Sequence, residues 1–217
     1  MSLAEATAAP RLGLTVTDVS AVPQAVVPTL RFRLRADAGG RQIRSVALNV
    51  QVRIDATRRR YEADDERRLL ELFGRRERWG ETLRSLMWAN MSTTVPAFTG
   101  GTSVDLHMPA TYDFEVVAAK YLNALDGGDV PLELLFSGTI FYTTADGALR
   151  VTPISWEQEL RTVLPVAVWR AAVESAFPDS AWLRLSRDAF DRLWAFRAAR
   201  ALPSWEATLD ELLDGHR

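Results

Sequence analysis

The stretch Thr111–Thr144, TYDFEVVAAKYLNALDGGDVPLELLFSGTIFYTT, decides how the rest of the chain is read. Two long apolar arms flank Asp126-Gly127-Gly128-Asp129. Glycine at a short connection tolerates positive φ, which a tight turn between antiparallel strands needs. The second arm starts with Pro131 and carries Gly138, so it reads as a strand rather than a helix. The first arm is read as a strand too, although Ala118, Ala119, Leu122 and Leu125 would permit a helix. The expectation is a long hairpin that supplies the centre of a sheet.

Upstream, period-two alternation dominates. Leu30, Phe32 and Leu34 alternate with Arg31, Arg33 and Arg35, which gives a strand one dry face and one cationic face. Gly39-Gly40 is read as the turn of a hairpin into Val46, Leu48, Val50, Val52 and Ile54. Between 58 and 88 the pattern breaks. Asp64, Asp65 and Glu66 precede Leu69, Leu70, Leu72 and Phe73, and Gly74 follows: acids in the first turn and glycine past the end delimit a helix. A strand through Trp88 to Val95 and another over Val104, Leu106 and Met108 come next. Downstream, Asp146-Gly147 turns the chain into Leu149, Val151 and Ile154.

Near residue 160 the period becomes helical. Val166, Trp169, Val173 and Phe177 follow Pro165, Ser186 caps a second helix and Ser204 a third. Strands first and helices second argue an α+β class. The expected architecture is an antiparallel β-sandwich or barrel-like unit of about seven to eight strands, with a helical insertion and three C-terminal helices packed on it. Residues 1–10 read as a disordered lead, 11–160 as the β domain with its insertion at 58–88, and 161–217 as the helical segment. The tryptophans of that segment, Trp169, Trp182, Trp194 and Trp205, need a surface to bury against.

The 217 residues are 47% hydrophobic with a formal net charge of −2, so bulk attraction to nucleic acid or anionic membrane is not implied. Without cysteine, disulfides and thiolate chemistry are excluded. No apolar run approaches the ~20 residues of a membrane-spanning helix, and the N-terminus lacks a signal-peptide pattern. A cytoplasmic protein is expected.

Several phrases occur together: Arg60-Tyr61, Leu72-Phe73-Gly74 with Arg78-Trp79, Val95-Pro96-Ala97-Phe98, Tyr112-Asp113-Phe114-Glu115-Val116, Lys120-Tyr121, Leu135-Phe136-Ser137-Gly138-Thr139, and Leu164-Pro165-Val166 with Trp169. As a set they resemble an uncharacterised, mainly actinobacterial family catalogued as a domain of unknown function. The resemblance spans roughly residues 11–215. It implies a gene neighbourhood beside high-affinity uptake nickel–iron hydrogenases, and through it an accessory or assembly role. It assigns no residue a task.

The chemistry-bearing residues are sparse. His107 and His216 are the only histidines, too few for a metal site that draws on several imidazoles or thiolates, so no metal and no cofactor is expected. Ser137 lacks the first glycine of a nucleophile elbow. Asp113, Glu115 and Lys120 could serve a hydrolase or lyase if they converged in a pocket, with Lys120 on the inward phase of a strand or in an ion pair. The preferred reading is non-enzymatic: an accessory protein that binds a protein partner, with a chaperone-like holder of unfolded clients as the alternative and no nucleic acid involved. The insertion is the candidate interface, through Phe73, Arg75, Arg76, Arg78, Trp79 and Trp88, because hot spots are enriched in Trp and Arg. Gly74 and Gly80 bracket Trp79 and are expected to let that loop project, whereas the competing reading has these aromatics seal one end of the sheet.

Overall fold

A single strand of 26 residues, Thr29–Ile54, is the axis of the sheet. The computed structural model describes residues 9–110, 115–155, 157–180 and 185–215, with the side chains of Glu115 and Val116 outside that set. Its strands are β1 (Gly13–Ala21), β2 (Thr29–Ile54), β3 (Leu86–Val95), β4 (Phe98–Pro109), β5 (Asp129–Thr143), β6 (Leu149–Pro153) and β7 (Glu159–Pro165). Its helices are α1 (Ala63–Arg68), α2 (Leu70–Phe73), α3 (Trp79–Thr82), α4 (Glu115–Asn123), α5 (Val166–Ala176), α6 (Arg187–Ala199) and α7 (Trp205–Asp214). Short 3-10 turns lie at Ala56–Arg58 and Arg76–Arg78. The class is α+β, with one seven-stranded antiparallel sheet.

Strand β2 is long because Gly39-Gly40 does not turn the chain. From Asp37 to Gln42 the strand advances past Gly101 to Thr99 of β4, so residues 38–41 stand opposite Gly100 alone. This is a wide bulge, and Gly39 and Gly40 absorb it at φ of 58° and 81°. The hairpin expected here is therefore corrected to one bent strand. Its first half lies between β1 and β4, and its second half between β3 and β5. Leu30, Phe32, Leu34 and Ala36 from the first half and Val46, Leu48, Val50, Val52 and Ile54 from the second join one core. The bend thus folds the sheet over its own apolar face, as a sandwich does.

The expected hairpin at 111–144 is also corrected. Its second arm is β5, but its first arm contains α4; residues 111–114 lie outside the described set. Ala118, Tyr121, Leu122 and Leu125 are buried at the i, i+3, i+4, i+7 spacing of a helix face. These include Ala118 and Leu122, two of the residues that would permit a helix. The far edge of β5 is shared by β7 along residues 129–135 and by β6 along residues 139–143, the latter through the turn at Asp146-Gly147.

The chain divides into two units, Met1–Asp179 and Ser180–Arg217. In the first, α5 starts directly after Pro165 and buries Val166, Trp169 and Ala172. Trp169 meets Trp88 of β3 edge to face at 6.0 Å and donates its indole N–H to Asn123 Oδ1 at 3.0 Å. In the second, Ser186 and Ser204 cap α6 and α7 by accepting from the amides of Ala189 and Ala207. Trp182 and His216 lie outside the described residues, as do residues 1–8 of the expected lead, while Pro10 is buried. Among the described residues, no helix is long and apolar enough to cross a membrane.

Candidate functional site

Six residues of the insertion were singled out from sequence, and the structure separates them by polarity. Trp79 is only 5% exposed. Its ring meets Tyr61 at 5.0 Å and Phe73 at 6.0 Å; Tyr121 of α4 closes the circuit at 6.2 Å from Phe73 and 6.4 Å from Tyr61. All four contacts are edge to face, the geometry that aligns ring edges with neighbouring π-faces. The Trp79 indole donates to the Gly74 carbonyl at 2.9 Å. The projecting loop is therefore corrected: Gly74, at φ 70°, turns the backbone inward and presents its carbonyl to the indole it was expected to expose. Phe73 is buried in the same circuit and Trp88 against Trp169. Arg75, Arg76 and Arg78 remain outside, with Arg76 over the Trp79 ring at 4.7 Å and 3.4 Å from Glu66.

Polar groups stitch this end shut. Tyr61 gives its hydroxyl proton to the Ala56 carbonyl at 2.6 Å, so the 2.7 Å contact between the two phenols has Tyr121 as donor. Burial pushes the Tyr61 phenol up to about 12, and it pushes Tyr121 up as well. Beside them Arg59 donates to the carbonyls of Asp129 at 2.7 Å and Gly127 at 2.6 Å, and lies 3.6 Å from Asp65. The side chains of Arg59 and Asp65 are 8% and 5% exposed. Asp65 accepts the Asp126 amide, and Arg68 grips the Asp126 carboxylate through both its oxygens at 2.5 and 2.6 Å. That grip holds the Asp126 carboxyl below the usual carboxylate range. Sequence reading missed the Arg59–Asp65 pair, because nothing in Arg58-Arg59-Arg60 distinguishes the buried arginine from its exposed neighbours.

Of the three catalytic candidates, only Lys120 has a described side chain. Asp113 and the Glu115 side chain lie outside the described residues. Lys120 is exposed on α4 and ion-paired with Glu71, so its inward strand phase is corrected by the helix. His107 is exposed on β4. Among the described residues, no group of three or more His, Asp or Glu side chains is placed to hold a metal. Two arginines of the cationic stripe of β2 are paired across the sheet: Arg33 grips Asp105 at 2.8 and 3.0 Å, depressing that carboxyl, and Arg31 meets Asp18 at 3.3 Å.

The second unit is built differently. Phe190, Trp194 and Trp205 stack in a tilted trio with centroids 5.6–6.0 Å apart. Arg197 lies over Trp205 at 4.7 Å and donates to the carbonyls of Leu202 and Pro203. Yet Trp194 is 55% exposed, Leu209 42% and Leu213 69%. A protein-family profile matches residues 9–217. The chain belongs to DUF6084, a family of unknown function. No curated protein matches this DUF6084 chain. Among solved structures, it is similar to an ApaA protein from Bordetella pertussis at 12% identity, covering 71% of this chain and 93% of that one with a TM-score of 0.29. Beta-glucosidase 3B from Thermotoga neapolitana is 12% identical, with 70% and 17% covered and a TM-score of 0.26. A sporulation control protein from Bacillus subtilis is 9% identical, with 68% and 49% covered and a TM-score of 0.22. At these scores none of the three likenesses bears on activity.

Proposed function

We propose that this DUF6084 protein is a non-enzymatic accessory or assembly protein that binds a protein partner, and that the partner belongs to a nickel–iron hydrogenase system. The observation that carries partner binding is the apolar surface of the C-terminal unit. Trp194, Leu209 and Leu213 are large, exposed side chains on adjoining helices, and Trp194 itself packs against Phe190 and Trp205. Contiguous exposed apolar surface marks interaction sites, and tryptophan is over-represented among interface hot spots. The hydrogenase assignment is supported by the gene neighbourhood that the family resemblance implies.

Affinity capture from the native host with the tagged full-length chain tests both parts. Hydrogenase subunits or their maturation factors are expected in the eluate of the parent and depleted with Trp194→Ser. Their absence from the parent eluate overturns the hydrogenase assignment. Suppression of aggregation of unrelated clients at near-stoichiometric ratios would instead identify a chaperone-like holder.

A further inference from the structure

We infer that the outer face of α7 is the docking surface for a cationic amphipathic helix of a partner protein. The inference rests on the partner-binding reading above and supplies the chemistry of that partner. Helix α7 bears two parallel stripes at four-residue spacing: Trp205, Leu209 and Leu213 in one, Glu206, Asp210 and Asp214 in the other. Residues four apart stand one above the other on a helix, and a displacement of one residue turns about 100° around it. Leu209 and Leu213 are exposed, while Thr208 on the inner face is buried.

The described arginines of the same unit are already committed. Arg187 pairs with Asp191, Arg192 with Asp188 and Arg200 with Glu211, and Arg197 is held by Trp205 and two carbonyls. Among the described residues, Asp210 and Asp214 have no cationic partner, and the last turn of α7 carries no basic residue. Both acids act against the helix itself. Like charges four apart repel, and carboxylates near a helix C-terminus oppose the macrodipole. A helix with leucines flanked by lysine or arginine would cover the apolar stripe and neutralise the acidic one. An anionic lipid surface is repelled by that acidic stripe. A second copy meeting α7 about a two-fold axis would bring the same acids together.

The test titrates the full-length protein with a synthetic amphipathic helical peptide of leucine and lysine, and with its leucine–glutamate counterpart, following tryptophan emission. The lysine peptide is expected to bind at least about tenfold more tightly than the glutamate peptide. Leu213→Ser is expected to weaken it about tenfold, as loss of a buried leucine contact does. The double change Asp210→Asn with Asp214→Asn is expected to remove most of the salt dependence. These side chains are exposed, and circular dichroism checks that each variant keeps its fold. Equal affinity for the two peptides, unchanged binding by Leu213→Ser, or salt dependence surviving the double change overturns the inference. So does a dimer that dissociates on Leu213→Ser, or binding to phosphatidylglycerol vesicles in preference to the peptide. If the peptide fails while the host complex survives Leu213→Ser, partner binding stands and only this surface falls; absence of any specific host complex removes the broader reading.

Discussion

Trp79 stands where two of the four aromatic edges meet, with its N–H spent on Gly74. Truncating it leaves a cavity among Tyr61, Phe73 and Tyr121. Trp79→Ala is expected to cost roughly 3–5 kcal/mol of stability, measured by chemical denaturation. The binding role first read for this residue predicts an ordinary loss nearer ~1 kcal/mol, and a value that small would restore it. The neighbouring phenols give the protein an alkaline limit. Tyr61 titrates at about 12 in the folded chain against 10.0 for a free phenol. Between those values the unfolded chain sheds a proton that the folded chain retains, so unfolding releases a proton and stability falls as pH rises. Denaturation midpoints are expected to drop between pH ~10 and ~12, and the slope to flatten when Tyr61 and Tyr121 are both changed to Phe. An unchanged slope in that double variant would contradict the assignment to these hydroxyls.

At the scale of elements, the β2–β5 pairing depends on one glycine. Gly138 stands opposite Leu48 with φ of 139°, and a Cβ there would lie 2.0 Å from the Ala47 carbonyl oxygen. Backbone cannot step aside as a flexible side chain could. Gly138→Ala is expected to cost about 3 kcal/mol or more, through strain and overpacking together. Gly127 is the control: nothing lies within 4 Å of its Cβ position and its φ is not positive, so Gly127→Ala is expected to stay within about 0.5 kcal/mol. Equal losses at the two sites would show that the strand pairing tolerates displacement at Leu48. The bulge at 38–41 and this contact together fix where β2 bends and which strand its second half meets.

For the whole molecule, the buried apolar core runs from Leu12 to Ala172 and lies within the first of the two units. A chain ending after Asp179 is therefore expected to fold, with a cooperative transition within a few degrees of the parent, since a shift of that size corresponds to about 1 kcal/mol. It should also lose the partner, because Trp194, Leu209 and Leu213 go with the second unit. Thermal unfolding and affinity capture on the same truncated protein check both halves. A truncated chain that does not fold would mean that the helical pair contributes to the core of the first unit.

The α+β class, the dry faces of β2 and β5, the turn at Asp146-Gly147 and the caps Ser186 and Ser204 were determined by the sequence itself. Each depends on residues within a few positions of one another, where alternation, glycine and hydroxyl side chains act through the local backbone. The stripes of α7 were equally legible, since four-residue spacing is visible in Trp205-Glu206, Leu209-Asp210 and Leu213-Asp214. Their exposure was not. Tertiary structure alone decided that residues 115–123 form a helix, that Gly39-Gly40 is a bulge rather than a turn, that the side chain of Arg59 is enclosed while Arg58 and Arg60 are exposed, and that Trp79 points inward. In each case two local conformations were open to the segment. For the bulge, Arg59 and Trp79 the choice was made by a surface distant in sequence: β4 opposite the bulge, the Gly127 and Asp129 carbonyls around Arg59, and Tyr121 closing the ring circuit beside Trp79.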